Sequence, residues 1–178
     1  NHISDDKEVL KNTIKEYVET YDVLLFSGAV SKGKYDFLPE VLEELGVQKL
    51  FHQVAQRPGK PFWFGQTTSC KVFAFPGNPV STFLNCLVYF YPWFAKSVGF
   101  ELKEETVILG EDVSFNPQLT YFLQVRVDIK FGQLVAFPVK GNGSGDLASL
   151  VEADGFIELP TKQTTFKKGE NYPVIRYR

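Results

Sequence analysis

Methionine is absent from the sequence, and cysteine, histidine and tryptophan occur twice each in 178 residues. Cys70 and Cys86 are too few for a disulfide framework, and two lone thiols suit a reducing compartment, the cytoplasm. His2 and His52 make no zinc-ligand spacing with them and read as a terminal and a strand histidine. Charge of one sign is also missing. Nineteen Lys and Arg oppose 21 Asp and Glu, for a net charge of −2. No broad basic field is there to attract nucleic acid, so an anionic ligand must be held by local charge. No long hydrophobic run occurs either: the most apolar stretch, 83–95, contains Asn85 and Pro92 and is shorter than a membrane span. The first residues given carry no signal-peptide pattern, and the native N-terminus is expected to lie before them. The opening Asn1-His2, in a chain without methionine, reads as something other than a native start.

What is present is a folding composition. Hydrophobic residues make up 44%, with 17 Phe and 8 Tyr to build a bulky core. The length allows one or two domains. Up to about residue 100, helical and strand patterns alternate. Helices are expected over 6–20 and 37–45, and strands over 22–26, 48–54, 62–64 and 71–75. A long helix follows over 80–98, kinked by Pro92. That alternation implies an α/β layer structure. After a charged connector at 101–105, the pattern is almost all strand: 106–113, 121–131, 134–139, 156–159 and 172–176, with a helical turn over 147–151. Short strands with Gly turns point to a small barrel or sandwich. The expected domains are 1–100 (α/β) and 101–178 (all β).

Chemistry concentrates in three loops. Lys71-Val72-Phe73-Ala74-Phe75 reads as a buried strand stopped by Pro76-Gly77. Asn78 is a favoured N-cap, and Pro79 suits the first helical position. A helix start is polarised toward anions, and Gly77 lets a ligand approach the backbone. The second loop, Arg57-Pro58-Gly59-Lys60-Pro61, is stiff and carries two cations, of which Arg57 can grip an oxyanion in bidentate fashion. It leads into a buried aromatic strand, where α/β folds keep their ligand crevices. The third follows the strand at 22–26: Ser27, Gly28, Ser31 and Gly33 lie in a Gly-rich loop that can cradle phosphate, ahead of Asp36 and a helix. Each has a plainer reading: an ordinary strand-to-helix turn, two solvated cations, and a helix cap at Asp36. Likewise 141–146 is either an anion-binding loop or a connector, and Arg126 an exposed strand residue.

Together these segments carry a resemblance. Ser27-Gly28-Ala29-Val30-Ser31, Tyr35-Asp36, Val54-Ala55-Gln56-Arg57-Pro58-Gly59-Lys60-Pro61, Phe64-Gly65 and Phe75-Pro76-Gly77-Asn78-Pro79-Val80-Ser81 resemble the molybdopterin molybdotransferase family, which includes bacterial MoeA and the E domain of gephyrin. Asp5-Asp6 fits the same pattern. The resemblance covers most of residues 1–100. It implies a partial doubly wound molybdopterin-binding domain (MoeA/MogA-like), followed by a small all-β barrel-like domain. It also implies a transferase that inserts molybdate into adenylated molybdopterin and releases AMP, assisted by a divalent cation such as Mg²⁺. Carried over, Asp5 and Asp36 match acidic active-site residues that can hold the cation. Arg57 and Lys60 match the basic loop. Ser27, Gly28, Ser31, Gly33, Pro58, Gly59, Pro76, Gly77, Asn78 and Pro79 match the pocket. A homodimer in the full-length protein is implied as well, with 141–146 near its cleft.

Four positions depart from the family pattern. Ala29 stands for a second Gly, Lys32 and Lys34 replace an apolar and an acidic residue, and Gln53 occupies a position that is often Lys. The chain is expected to be a C-terminal fragment that does not turn over alone. Two alternatives stay open: a gephyrin-like peptide-binding scaffold, and an adenylyltransferase of the related molybdopterin-binding fold.

Overall fold

The computed structural model describes residues 2–3, 6–28, 30, 37–141 and 146–178. The described elements run α1 (Lys7–Thr20), β1 (Val23–Ser27), α2 (Leu38–Glu44), β2 (Gln48–His52), β3 (Gln56–Arg57), β4 (Trp63–Gln66) and β5 (Lys71–Phe75). Next come α3 (Pro79–Asn85), a π-helical segment (Cys86–Phe90) and α4 (Tyr91–Ser97). The remainder is β6 (Glu105–Leu109), β7 (Val113–Ser114), β8 (Thr120–Lys130), β9 (Gln133–Pro138), α5 (Leu147–Glu152), β10 (Gly155–Leu159), β11 (Thr165–Phe166) and β12 (Asn171–Arg176). Two compact units result: one of residues 1–54 and 59–82, the other of 55–58 and 83–178.

The first unit is a four-stranded sheet in the order β1-β5-β4-β2. β1 and β5 are parallel, with Ser27 opposite Phe75; β4 runs antiparallel to both of its neighbours, β5 and β2. Strand alternation sorts β5 by face. Val72 and Ala74 join the core with Leu10 and Ile14 of α1 and Leu38, Val41 and Leu42 of α2. Phe73 and Phe75 face the other way and pack with Phe62 and Phe64. Asp6 caps α1 by accepting from Val9 N at 3.0 Å. Lys7 and Lys11 of α1 tie to Glu44 of α2 at 2.8 and 2.7 Å.

Gly65 is forced by packing. A Cβ there would sit 2.7 Å from the Gln48 carbonyl oxygen and 2.4 Å from the Trp63 ring. The backbone oxygen belongs to the paired strand β2 and cannot swing aside.

The second unit is a closed five-stranded barrel in the cyclic order β10-β12-β6-β9-β8, closed by the β10–β8 pairing. Its core holds Val107, Leu109, Val125, Ala136, Ile157, Leu159 and Phe166. All its pairings are antiparallel except β6–β9. Short β3 adds in parallel to the start of β8.

Three departures from the expected elements have physical causes. The helix at 80–98 does not merely kink at Pro92. Proline lacks the N–H that would bond back one turn, and the strain is taken up just ahead of it. Tyr91 N donates to Cys86 O, an i to i−5 bond, and Pro92 then sits in the first turn of α4. The strand expected over 106–113 breaks after Leu109. Gly110 N donates to Ala136 O at 2.8 Å, and a Cβ on Gly110 would enter the Phe137 ring. The strand expected over 48–54 ends at His52 because Gln53 takes a left-handed backbone, φ 79°.

Gly65→Ala should lower unfolding stability by about 1–3 kcal/mol in a urea titration, the usual cost of overpacking; an unchanged midpoint would contradict the packing described. Glu44 offers a second check. Its hydrogen bonds, first from Lys11 and then from Lys7, hold its carboxyl down at about 2. A depressed carboxylate stabilises the fold above its ordinary pKa, and that support fades as pH falls toward the folded value. NMR titration of the Glu44 side chain should show a midpoint near 2, with the α1–α2 tie persisting through pH 4.5. A midpoint in the usual carboxylate range would show the tie to be absent.

Candidate functional site

The sheet of the first unit gathers its loops at one edge. β1 and β5 are parallel and end side by side, so the turns after Ser27 and Phe75 emerge together. β4 is antiparallel to β5 and starts with Trp63 opposite Ala74, so the loop before it, with Gly59 and Lys60, reaches the same edge. β2 ends there too, with His52 opposite Trp63. These four strand ends thus present three connections: those after Ser27 and Phe75, and the one that joins β2 to β4. Parallel strand ends are where open α/β sheets hold ligands.

Hydrogen bonds fix these loops. Gly28 N donates to Phe75 O at 3.0 Å, extending the β1–β5 ladder by one step. Gly28 has φ 98°, a backbone region that suits glycine. Gly77 faces it: a Cβ on Gly77 would lie 3.5 Å from Gly28 Cα, an ordinary contact. Neither space nor backbone angle therefore demands glycine at 77. Thr82 of α3 donates its hydroxyl to Pro76 O, and its oxygen lies 3.4 Å from the Ser27 hydroxyl. With the Thr82 proton committed to Pro76, Ser27 is the donor of that pair.

Asn78 does what the sequence predicts of it. Its Oδ1 accepts from Ser81 N at 2.9 Å, and its carbonyl accepts from Thr82 N at 2.9 Å. Its side-chain NH₂ has no hydrogen bond among the described residues. Pro79 opens α3 as expected. Val54 N donates to Lys60 O and Gln53 N to Phe62 O, so the basic loop is pinned at its base. Gly59 is buried and Lys60 exposed. Lys60 has no ion pair among the described residues.

Arg57 and Pro58 fall in the second unit, joined by a cis peptide. Arg57 continues β3, exposed, with its guanidinium 6.0 Å from the Phe115 ring centre. It too has no ion pair among the described residues. Arg126 is exposed on β8 and pairs with Asp128 at 3.3 Å. Asp146 caps α5 by accepting from Ser149 N. Asp5, Ala29, Ser31, Lys32, Gly33, Lys34, Asp36 and residues 142–145 lie outside the described residues. Among the described residues no group of three His, Cys, Asp or Glu side chains could hold a metal ion.

Two participants escaped the sequence reading. Thr82 binds three chain segments together, but a threonine in the first turn of a helix carries no spacing signal. His52 is a strand histidine, as expected, and in addition its Nε2 lies 3.2 Å from Val30 O, in the loop after β1. Neither thiol is a candidate nucleophile: burial pushes the Cys70 and Cys86 thiols up.

An α/β unit with its loops at parallel strand ends, joined to a small β-barrel, defines the class. Residues 1–96 match the model of the probable molybdopterin binding domain, and residues 106–177 match the MoeA C-terminal region, domain IV. The chain belongs to the molybdopterin-binding family, in its MoeA-type arrangement. It is 39% identical to a molybdopterin molybdenumtransferase of Synechocystis sp., over 99% of this chain and 44% of that protein. A molybdopterin molybdenumtransferase of Bacillus subtilis is 30% identical over 99% of this chain and 42% of its own length. A crystal structure of the molybdopterin biosynthesis MoeA protein from Pyrococcus horikosii superposes with a TM-score of 0.77. It is 30% identical, and the match covers 99% of this chain and 42% of that one. The chain thus spans less than half the length of these relatives.

Thr82→Val keeps the shape of the side chain and deletes its hydroxyl. It should cost about 1 kcal/mol by denaturant titration, while Thr82→Ser should stay within a few tenths of the parent. Equal loss in both variants would mean that the methyl group, not the hydroxyl, holds the loops.

Proposed function

We propose that this chain is the pterin- and oxyanion-binding part of a molybdopterin molybdotransferase. The complete enzyme takes adenylated molybdopterin and molybdate, transfers the metal to the dithiolene and releases AMP. The observation that carries this reading is the facing pair of Gly28 and Gly77 at the joined ends of β1 and β5. A glycine that packing and backbone do not require leaves bare peptide for a ligand to approach. Beside it lie the free amide of Asn78, the hydroxyl of Ser27 and the loop of Lys60. These are groups that hold anionic oxygens.

In this reading Lys60 and Asn78 bind and orient the oxyanion, and Ser27, Gly28, Gly59, Pro76, Gly77 and Pro79 shape the pocket around the pterin substrate. By family resemblance Arg57, whose planar fork matches an oxyanion, and Pro58 serve oxyanion binding as well. Ser31 and Gly33 join the pocket by family resemblance. So do Asp5 and Asp36, as the carboxylates for Mg²⁺. The dithiolene sulfurs belong to the substrate, which agrees with thiols that stay protonated in this chain. We read residues 1–100 as the binding domain and 101–178 as the accompanying β domain of a cytoplasmic homodimer.

The test is steady-state molybdate insertion by the complete protein, followed as AMP release. Loss of one charge-assisted hydrogen bond, worth about 1.5–3 kcal/mol, should raise the molybdate KM about tenfold to a hundredfold in Lys60→Ala. Chelation of divalent cations should stop turnover, and Mg²⁺ should restore it. An unchanged KM in Lys60→Ala would remove that residue from the site. Consumption of ATP in place of adenylated pterin would point instead to the adenylyltransferase alternative.

A further inference from the structure

Gln56 is a buried polar side chain whose amide donors and carbonyl oxygen are all bonded inside the second unit. It is 3% exposed. Its Nε2 donates to Pro58 O and to Asn85 Oδ1, each at 2.9 Å, and its Oε1 accepts from the Tyr89 hydroxyl. Both N–H groups and the carbonyl are thereby committed. Asn85 closes α3 and is itself fully buried, and Tyr89 comes from the π-helical segment.

The neighbouring residue explains why this matters. β3 pairs in parallel with β8, Gln56 opposite Thr120 and Arg57 opposite Tyr121, and Thr120 N donates to Ala55 O at 3.0 Å. Strand alternation sends Gln56 inward and Arg57 outward. On the Arg57 side Phe115, itself part of the barrel core, stacks on Tyr121 with ring centres 4.1 Å apart, and the Arg57 guanidinium lies 6.0 Å from the Phe115 ring centre. Arg57 therefore stands between two fixed neighbours: Gln56, and a Pro58 whose carbonyl Gln56 grips. An apolar residue at 56 could fill the same space. It could not hold the Pro58 carbonyl.

We propose that Gln56, anchored by Asn85 and Tyr89, is a positioning residue that sets the direction of Arg57 for oxyanion binding. This rests on the reading of Arg57 as an oxyanion-binding residue. A polar group held by three others fixes a backbone direction that packing alone leaves loose, and small misplacements of a binding group are costly.

The test uses the complete protein and four variants: Gln56→Met, Arg57→Ala, their combination, and Gln56→Met/Asn85→Leu/Tyr89→Phe. The last removes Gln56 together with the two side chains that bond to it, Asn85 and Tyr89. Molybdate KM, kcat and Tm are measured for each. Gln56→Met should raise the KM about tenfold with kcat within about twofold. The triple variant should recover Tm but not KM. In the Arg57→Ala background, Gln56→Met should add less than about twofold, because the two act as one unit. If the two effects multiply, or if the triple variant regains parental KM with its Tm, positioning is overturned and the cluster is scaffold. If Arg57→Ala alone leaves the KM unchanged, the underlying reading of Arg57 fails and takes this proposal with it.

Discussion

The constraint on which the rest depends is the parallel register of β1 and β5, with Ser27 opposite Phe75. Parallel neighbours end at the same edge, so the turn after each strand must share space with the other. One added ladder bond, Gly28 N to Phe75 O, carries the register past the strands into those turns. Thr82 then ties the result to α3 through Pro76 and Ser27. Slip that register and the two glycines no longer face each other.

The rest of the first unit keeps that register from slipping. Val72 and Ala74 are buried on the α1–α2 face, and Phe73 and Phe75 are buried on the aromatic face. A one-residue shift would exchange those two sets and unmatch both layers. The barrel of the second unit closes on itself through β8 and β10, which leaves few strand edges to mispair. Its longest strand, β8, also receives β3 and so fixes the backbone of Arg57.

Much of this was legible in the sequence. The β1, β5 and β8 patterns, the cap at Asn78, the change from α/β to β near residue 100 and the family resemblance of the Pro-Gly loops could all be read from local chemistry. Those features depend on residues within a few positions of one another. What escaped reading depended on distant partners. The two-residue strand β3 exists only because Thr120 and Tyr121 are there to pair with it. The small β7–β11 ribbon has the same cause, Val113 and Ser114 meeting Phe166 and Thr165. The break at Gly110 needs the Phe137 ring, and the roles of Gln56, Thr82 and His52 each draw on at least one partner that lies 22 or more positions away. No periodicity within a strand or helix carries that information.

The central claim is that the edge bearing the turns of Gly28, Lys60 and Gly77-Asn78 receives an oxyanion. Its most direct test is a molybdate titration followed by the backbone amide NMR signals of the protein. The account predicts that Ser27, Gly28, Lys60, Gly77, Asn78 and Thr82 shift together along one saturable curve. Saturable shifts confined to the barrel, with those six signals unmoved, would contradict it.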